Sequence, residues 1–468
     1  MPTNAQSPLW QRLKRDKHNA QLFQQTADYA LAYLQTIAAR AVYPSEDALA
    51  DLAHFDEALP DESQEAITVL EQLHQWGTPA TVAQGGGRYF GFVNGNIIPT
   101  ALAARWLADT WDQNAGLFVM SPIAAKLEQV CENWLVDLFG LPENTVAGFV
   151  TGTSVATMCG LLVGRNTLLS RAGWDIAERG LFGAPRLKVV MSEQAHSTVR
   201  KALAILGIGR EQIQLVPADE QGRLDASHLP ELDALTLVIL QAGNVNSGAF
   251  DPAKIVCERA NEAGAWVHVD GAFGLWAAAS EKTKYLTEGI ELADSWSVDM
   301  HKTLNAPYDS GVVLCKDRSA IVSALQARGA YLQFSDERDN MLYTPEMSRR
   351  ARGIELWALL KNLGRQGVDS LIAQLVENAQ LFGTLLEKEG FRVLNDVVFN
   401  QVIVVCDTPE HTQRTLQHIQ ASGECWCGGS SWQGEPVIRI SVCSWETTPD
   451  DVERSVQAFV TARAETAD

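Results

Sequence analysis

Residues 268–274 read HVDGAFG and residues 297–311 read SVDMHKTLNAPYDSG; how these two segments end decides the fold. The first follows an apolar run (Trp266, Val267, Val269) that closes on Asp270 and breaks at Gly271. That pattern predicts a buried strand delivering one carboxylate at its C-terminal end. The second is a short strand (Trp296, Val298) ending in Asp299, His301 and Lys302, with Asn305 and Pro307 forcing a turn. Open α/β sheets bind ligands outside the carboxyl ends of their strands. Two adjacent strands of this kind place Asp270 and Lys302 at one mouth.

A lysine beside an imidazole, with a buried aspartate opposite, suits pyridoxal 5'-phosphate, which needs a Schiff-base lysine and an acidic partner for its ring nitrogen. Taken singly, Lys302 reads as a solvated lysine and Asp270 as a turn former. The combination favours the cofactor.

Outward from these segments, apolar strands alternate with helices. RLKVVM, LTLVILQ, AWVHVD, DSWSVD and GVVLC are the strands; HSTVRKALAILG and PAKIVCERANEAG are the helices. This order predicts an α/β protein with a mostly parallel sheet covered on both faces. His196 opens the helix after RLKVVM, at the same sheet edge as Asp270 and Lys302. GFVTGTSVATMCGLLVG predicts a strand that turns at Gly152 into a helix capped by Thr153 or Ser154. Such a helix start binds anions, although a plain N-cap is its commoner meaning.

SPIAAKLEQVCENWLVDLFGLP is a punctuated helix. Ser121 caps it, Pro122 sits in its first turn, and Gly140 and Pro142 close it. Ile123, Leu127, Val130, Trp134, Leu135 and Leu138 form its apolar face. Upstream, helical periodicity over Leu22–Ala39 and Glu62–Trp76 makes residues 1–85 an N-terminal helical arm. QGGGRYFGFVNGN lacks the Gly-Lys-Ser/Thr of a phosphate loop; it reads as a hinge beside an aromatic patch (Tyr89, Phe90, Phe92) that could line a pocket. Residues 330–348 are polar and aperiodic, as in a lid loop. A long helical run broken near Gly364 and Gly367 leads into a small α/β unit. The expected division is thus an arm (1–85), a large cofactor-binding domain (86–365) and a small C-terminal domain (366–468).

Bulk properties narrow the partners. A formal charge of −20 over 468 residues argues against nucleic acid or an anionic membrane. No run is long and apolar enough to span a bilayer, and the N-terminus lacks the apolar core of a secretory signal. The eight cysteines are scattered, and the single CxC (Cys425, Cys427) has no second pair, so no metal site is expected. Buried free thiols in a reducing cytoplasm fit better.

These motifs identify a resemblance. Through SPIAAKLEQ, TGTS (151–154), SEQAHSTV (192–199), GAFDP (248–252), HVDGAF, the His301–Lys302 pair, AYL (330–332) and SRRARGIELWALL (348–360), the chain resembles the group II pyridoxal-phosphate-dependent amino-acid decarboxylases, which include the aromatic-L-amino-acid and glutamate enzymes. The resemblance runs nearly the full length. It implies the aspartate-aminotransferase-like fold (fold type I) and a homodimer with its active sites at the interface. It further implies that Lys302 carries the cofactor, with His301 near the phosphate. On the same resemblance, Asp270 would pair with the ring nitrogen, Ala272 would pack beneath the ring and His196 would stack on its other face. Thr153 and Ser154 would bind phosphate, and Tyr331 matches the family's catalytic lid tyrosine.

The expected reaction is decarboxylation of an L-amino acid to its amine and CO₂. The alternatives are an aldehyde-forming enzyme or a carbon–carbon lyase of the sphingosine-phosphate type on the same fold, or a non-catalytic scaffold. Tyr331 favours decarboxylation, because aldehyde-forming relatives tend to carry phenylalanine there. Three positions depart from the family. Val245 stands where relatives have a threonine near the cofactor's ring hydroxyl, with Asn244 and Asn246 as possible substitutes. Asp299 replaces a frequent asparagine near the phosphate. Phe92 and Val93 are followed by Asn94 and Gly95 where substrate-facing aromatics are expected. The patch at 89–92 leans toward an aromatic substrate. Arg88, Arg349, Arg350 and Arg352 suggest an acidic one, or serve structure.

Overall fold

The structure is a computed structural model and describes residues 7–326 and 337–467. Tyr331 lies outside the described residues. The main sheet has seven strands: β2 (Val146–Val150), β3 (Lys188–Ser192), β4 (Ile213–Val216), β5 (Thr236–Gln241), β6 (Trp266–Asp270), β7 (Ser295–Asp299) and β8 (Gly311–Cys315). A two-residue strand, β1 (Tyr89–Phe90), precedes them. Their order is β2-β8-β7-β6-β5-β3-β4. Only β8 runs against its neighbours, so the sheet is mostly parallel, as expected. β5, β6 and β7 are buried on both faces; β5 is apolar along its middle, whereas β6 and β7 bury His268, Ser295 and Ser297, with His268 bonded to both serines.

Register sets the site. Gln241 pairs with Asp270 and Asp270 with Ser297, so β5 and β6 end level with one another and β7 runs on beside them to Asp299. Behind them runs the helix Thr153–Arg171. Gly160 and Gly164 let it approach closely: a β-carbon would fall 2.4 Å from the His268 ring at one and 2.7 Å from Trp266 at the other. Trp266 is buried at this contact, whereas Trp276 and Trp296 are buried in a separate core cluster.

The second sheet is β1-β11-β12-β10-β9, with β9 (Arg392–Val393), β10 (Gln401–Val405), β11 (Trp426–Trp432) and β12 (Glu435–Ser441). β1 adds to it in parallel beside β11, joining Tyr89 and Phe90 to the C-terminal strands. Helices Pro409–Ser422 and Pro449–Glu465 pack with this sheet. The long helix Gly353–Lys388 is interrupted at Gly364, where the sequence predicts a break. The N-terminal residues form helices Pro8–Lys17, Ala20–Thr36, Glu46–Ala50 and Ala66–Gln72, with 3₁₀ turns at Ile37–Ala39 and Asp51–Phe55. These elements bury little beyond Leu22, Ile37 and Ala48.

Helix Pro122–Leu138 is capped by Ser121, which accepts the Ala124 N–H. Its buried face differs from the predicted stripe. Ile123 is exposed, whereas Glu128 and Glu132 are buried. Arg349 grips Glu128 through two bonds of 2.7 and 2.8 Å, and Arg338 reaches Glu132 at 2.7 Å. Hydropathy alone does not reveal acidic residues whose partners lie some two hundred positions away.

Candidate active site

A cavity of about 410 Å³ opens at the C-terminal ends of these strands. Thr153, Ser154, His196, Asp270, Ala272, His301 and Lys302 all line it. Every described residue predicted for the site is therefore brought to one place. Asp270 comes from the end of β6 and is 5% exposed, with its Oδ1 accepting the Ala272 N–H at 3.3 Å. Burial raises its carboxyl above the usual range, against the opposing pull of His196 and Lys302. His196 caps helix Ser197–Ile205, and its Nδ1 lies 2.7 Å from Thr198 Oγ1. Burial lowers the imidazole below its ordinary value; Asp270 opposes this, while Lys302 and Arg439 add to it. A neutral ring is the outcome at neutral pH.

Asp299 holds the other side of the mouth. The Lys302 ammonium lies 2.9 Å from its Oδ2. Thr153 donates to both oxygens, through N–H at 2.7 Å and through Oγ1 at 2.9 Å. His301 accepts the Ser310 N–H at Nδ1 (3.2 Å), so its neutral ring carries the proton on Nε2, 3.6 Å from Asp299. Burial lowers the His301 titration, with Asp299 opposing.

The turn after Lys302 is clamped by Asn305, which is fully buried with φ of 60°. Its Nδ2 donates to the carbonyls of Lys302, Thr303 and Cys443 at 2.8–3.2 Å. Its Oδ1 accepts the N–H groups of Asn96 and Trp445 at 2.9 and 3.0 Å. One side chain thus joins the lysine turn to Asn96 and to the segment Cys443–Trp445. The sequence marks Asn305 only as a turn former, because its partners are remote in the chain.

Sequence reading also missed Tyr308, Gln241 and Thr198, which line the cavity. Tyr308 stacks on His301 with 4.2 Å between ring centroids, and its hydroxyl donates to Asn94 at 3.0 Å. Gln241 is buried, and its Nε2 has no partner among the described residues. Val245 lines the cavity where the ring hydroxyl contact was expected. Asn244 and Asn246 do not substitute. Asn244 Oδ1 accepts the Asn246 and Ser247 N–H groups, and Asn246 is tied to Ser430 and Ser431.

Two further expectations resolve differently. Tyr89 and Phe90 pack into the small sheet and Phe92 stacks on Trp426, so Val93 and Asn94, not the aromatic patch, reach the cavity. The candidate arginines are structural. Arg88 pairs with Glu424 and Asp451, Arg349 with Glu128, Arg350 with Glu355 and Arg352 with Asp309.

The residues present fit pyridoxal phosphate. An amine, a buried carboxylate, a neutral imidazole, a hydroxyl-bearing helix start and an orphaned amide donor converge on a cavity of suitable size. Fold and site together define a fold type I protein whose cofactor is pyridoxal 5'-phosphate. The family model described as "Pyridoxal-dependent decarboxylase conserved domain" matches residues 50–406, so the chain belongs to this family of pyridoxal-phosphate-dependent carboxy-lyases.

Its relatives point to more than one substrate type. The chain is 28% identical over 354 residues to the acidic amino acid decarboxylase GADL1 of Mus musculus, covering 72% of this chain and 62% of that protein. It thus spans less than two thirds of the mouse relative. It is 26% identical over 376 residues to an aromatic-L-amino-acid decarboxylase of Bacillus atrophaeus, covering 76% of each. The structure of Oryza sativa TDC with PLP and tryptamine superposes over 100% of both chains, with a TM-score of 0.88 and 21% identity.

Proposed function

We propose that the protein decarboxylates an L-amino acid to the corresponding amine and CO₂. The observation that carries this reading is the meeting of Lys302, Asp270, His196 and Thr153 in one cavity. The bound cofactor supplies an electron sink for the pair left at Cα when the carboxylate departs. The chain's own residues do the rest. Lys302 anchors the cofactor and is the amine that a substrate displaces. Asp270 would pair with the ring nitrogen, whose cationic N–H would favour its ionised form over the neutral one that burial alone prefers. His196, kept neutral, offers a flat ring surface without adding positive charge. Thr153, Ser154 and His301 hold the phosphate end. Tyr331 is assigned, from the family resemblance, as the proton donor to Cα.

For the substrate we propose an uncharged, apolar or aromatic side chain. The arginines that would greet an acidic group are held in internal ion pairs, and Val93, Phe273 and Tyr308 line the cavity. The chain is proposed to act as a homodimer that completes the site, with residues 1–85, 86–365 and 366–468 as its arm, large domain and small domain. Eight buried, unpaired cysteines support a cytoplasmic setting. No described helix is long and apolar enough to cross a membrane.

The test is a panel of the twenty common L-amino acids, scored for CO₂, amine, aldehyde and hydrogen peroxide. Amine with CO₂ from an aromatic or aliphatic substrate is expected. Aldehyde, ammonia and peroxide formed with consumption of O₂ would move the protein to the oxidative class. Release only from aspartate or glutamate would overturn the substrate reading.

A further inference from the structure

The start of helix Thr153–Arg171 is where the phosphate of the cofactor is expected, yet a carboxylate of the chain itself already sits there. Asp299 is 2% exposed and takes both donors that Thr153 offers, its N–H and its hydroxyl, at 2.7 and 2.9 Å. The same carboxylate holds the Lys302 ammonium at 2.9 Å and faces His301 Nε2 at 3.6 Å. A carboxylate with two donors at a helix N-terminus, flanked by a cation, reproduces the surroundings of a bound phosphate oxygen. The backbone leaves little slack, since a β-carbon on Gly152 would stand 3.2 Å from the His301 ring and 3.3 Å from Asp299 Oδ1.

We infer that Asp299 is an internal stand-in for the cofactor's phosphate, which must give up Thr153 and Lys302 when the phosphate enters. The inference rests on the assignment of pyridoxal phosphate as cofactor. It has two consequences. The unloaded site stays ordered, because its donors and its lysine are paired without any ligand. Loading is weakened, because a phosphate competes with a tethered anion for the same donors and is repelled by its charge. A phosphate-free pyridoxal has to break only the pair with Lys302 and leaves both Thr153 bonds in place. Asp299 therefore sets cofactor affinity through the phosphate specifically.

The experiment compares wild type and Asp299→Asn, both stripped of cofactor, in titrations with pyridoxal phosphate, pyridoxal and inorganic phosphate. Binding is read from the absorbance of the lysine adduct for the first two and by calorimetry for the third. The expected result is that the variant binds pyridoxal phosphate and inorganic phosphate at least about tenfold more tightly, since one unit of like charge is removed at contact range. The gain for pyridoxal should be clearly smaller. Thermal unfolding of the cofactor-free variant should drop below wild type, because Lys302 and Thr153 lose their anion. Equal or weaker phosphate binding by the variant, or an equal gain for pyridoxal, overturns the inference. Should Asp299→Asn fail to fold, Asp299→Ser asks the same question with a shorter neutral side chain. If wild type forms no adduct with pyridoxal phosphate, the cofactor assignment itself fails, while the inorganic phosphate arm still decides whether Asp299 blocks an anion site.

Discussion

Gly95 has no side chain because the lysine turn is in the way. A β-carbon there would lie 2.1 Å from the Lys302 carbonyl oxygen and 2.7 Å from that of His301. Both obstacles are backbone, which cannot rotate aside. Gly95→Ala is expected to push the turn out of register and to cut cofactor loading at least tenfold while the rest of the chain stays folded. Cofactor absorbance alongside far-UV circular dichroism would show it, and normal loading would mean that the turn yields freely.

At the same scale, His268 gives a pH dependence with a definite sign. It is fully buried between Ser295 Oγ at 2.9 Å and Ser297 Oγ at 3.3 Å. Burial pushes its imidazole down to about 3. Above an ordinary histidine value of about 6.5 neither the folded nor the unfolded chain binds this proton. Below it the unfolded chain takes the proton and the folded one does not, so stability present above pH 6.5 drains away toward pH 3. The slope for this one group is about 1.4 kcal/mol per pH unit. Urea unfolding at pH 6.5, 5.5 and 4.5 should show His268→Gln falling less steeply than wild type by about that amount. Parallel slopes would mean that His268 takes up its proton in the folded state.

Among the elements, helix Gly353–Lys388 isolates a backbone effect. Gly364 sits at φ 61° and ψ −178°, a conformation essentially restricted to glycine. Nothing lies within 4 Å of where its β-carbon would be. Gly364→Ala therefore has no steric neighbour to blame, and the expected loss of about 1–3 kcal/mol is conformational alone. Equilibrium denaturation would measure it, and an unchanged midpoint would show that the helix straightens without cost.

This break was legible because glycine announces it, and the parallel sheet was legible because short strands rich in Val, Ile, Leu and Trp alternate with helices. Four strands were not, of which β1 and β9 are only two residues long. In β4 the middle residues, Gln214 and Leu215, are exposed at the sheet's edge, so its four residues show no inward–outward alternation. In β11 the sequence WCGGSSW has neither alternation nor branching, and its pairing with β12 makes it a strand. The site divides the same way. Lys302, Asp270, His196 and the Thr153 turn stand at strand ends and could be read locally. Asn305, Tyr308 and Gln241 owe their roles to groups brought in by other elements, which no local pattern records.

For the whole molecule, the apolar surface is unevenly placed. Trp106, Leu107 and Trp111 on helix Pro99–Trp111 are exposed, as are Val119, Met120 and Ile123 just beyond it. The arm adds Trp10, Phe23 and Leu31, also exposed, and it buries too little apolar side chain to be held by its own core. A chain with a net charge of −20 is poorly suited to non-specific self-association, since like charges repel at every orientation. Exposed large side chains in this number therefore argue for one defined partner face. A second copy fits, because a two-fold axis lets the same patch cover itself. The expected outcome is that wild type sediments as a dimer at micromolar concentration. The double variant Leu107→Arg, Trp111→Glu should shift toward monomer with its circular dichroism intact. Dissociation should also loosen the cofactor site, because Tyr308 at the cavity mouth is more than a third exposed in the single chain and a partner would shield it. A variant that stays dimeric moves the interface elsewhere, whereas a wild-type monomer with full cofactor occupancy would mean that one chain builds the site alone.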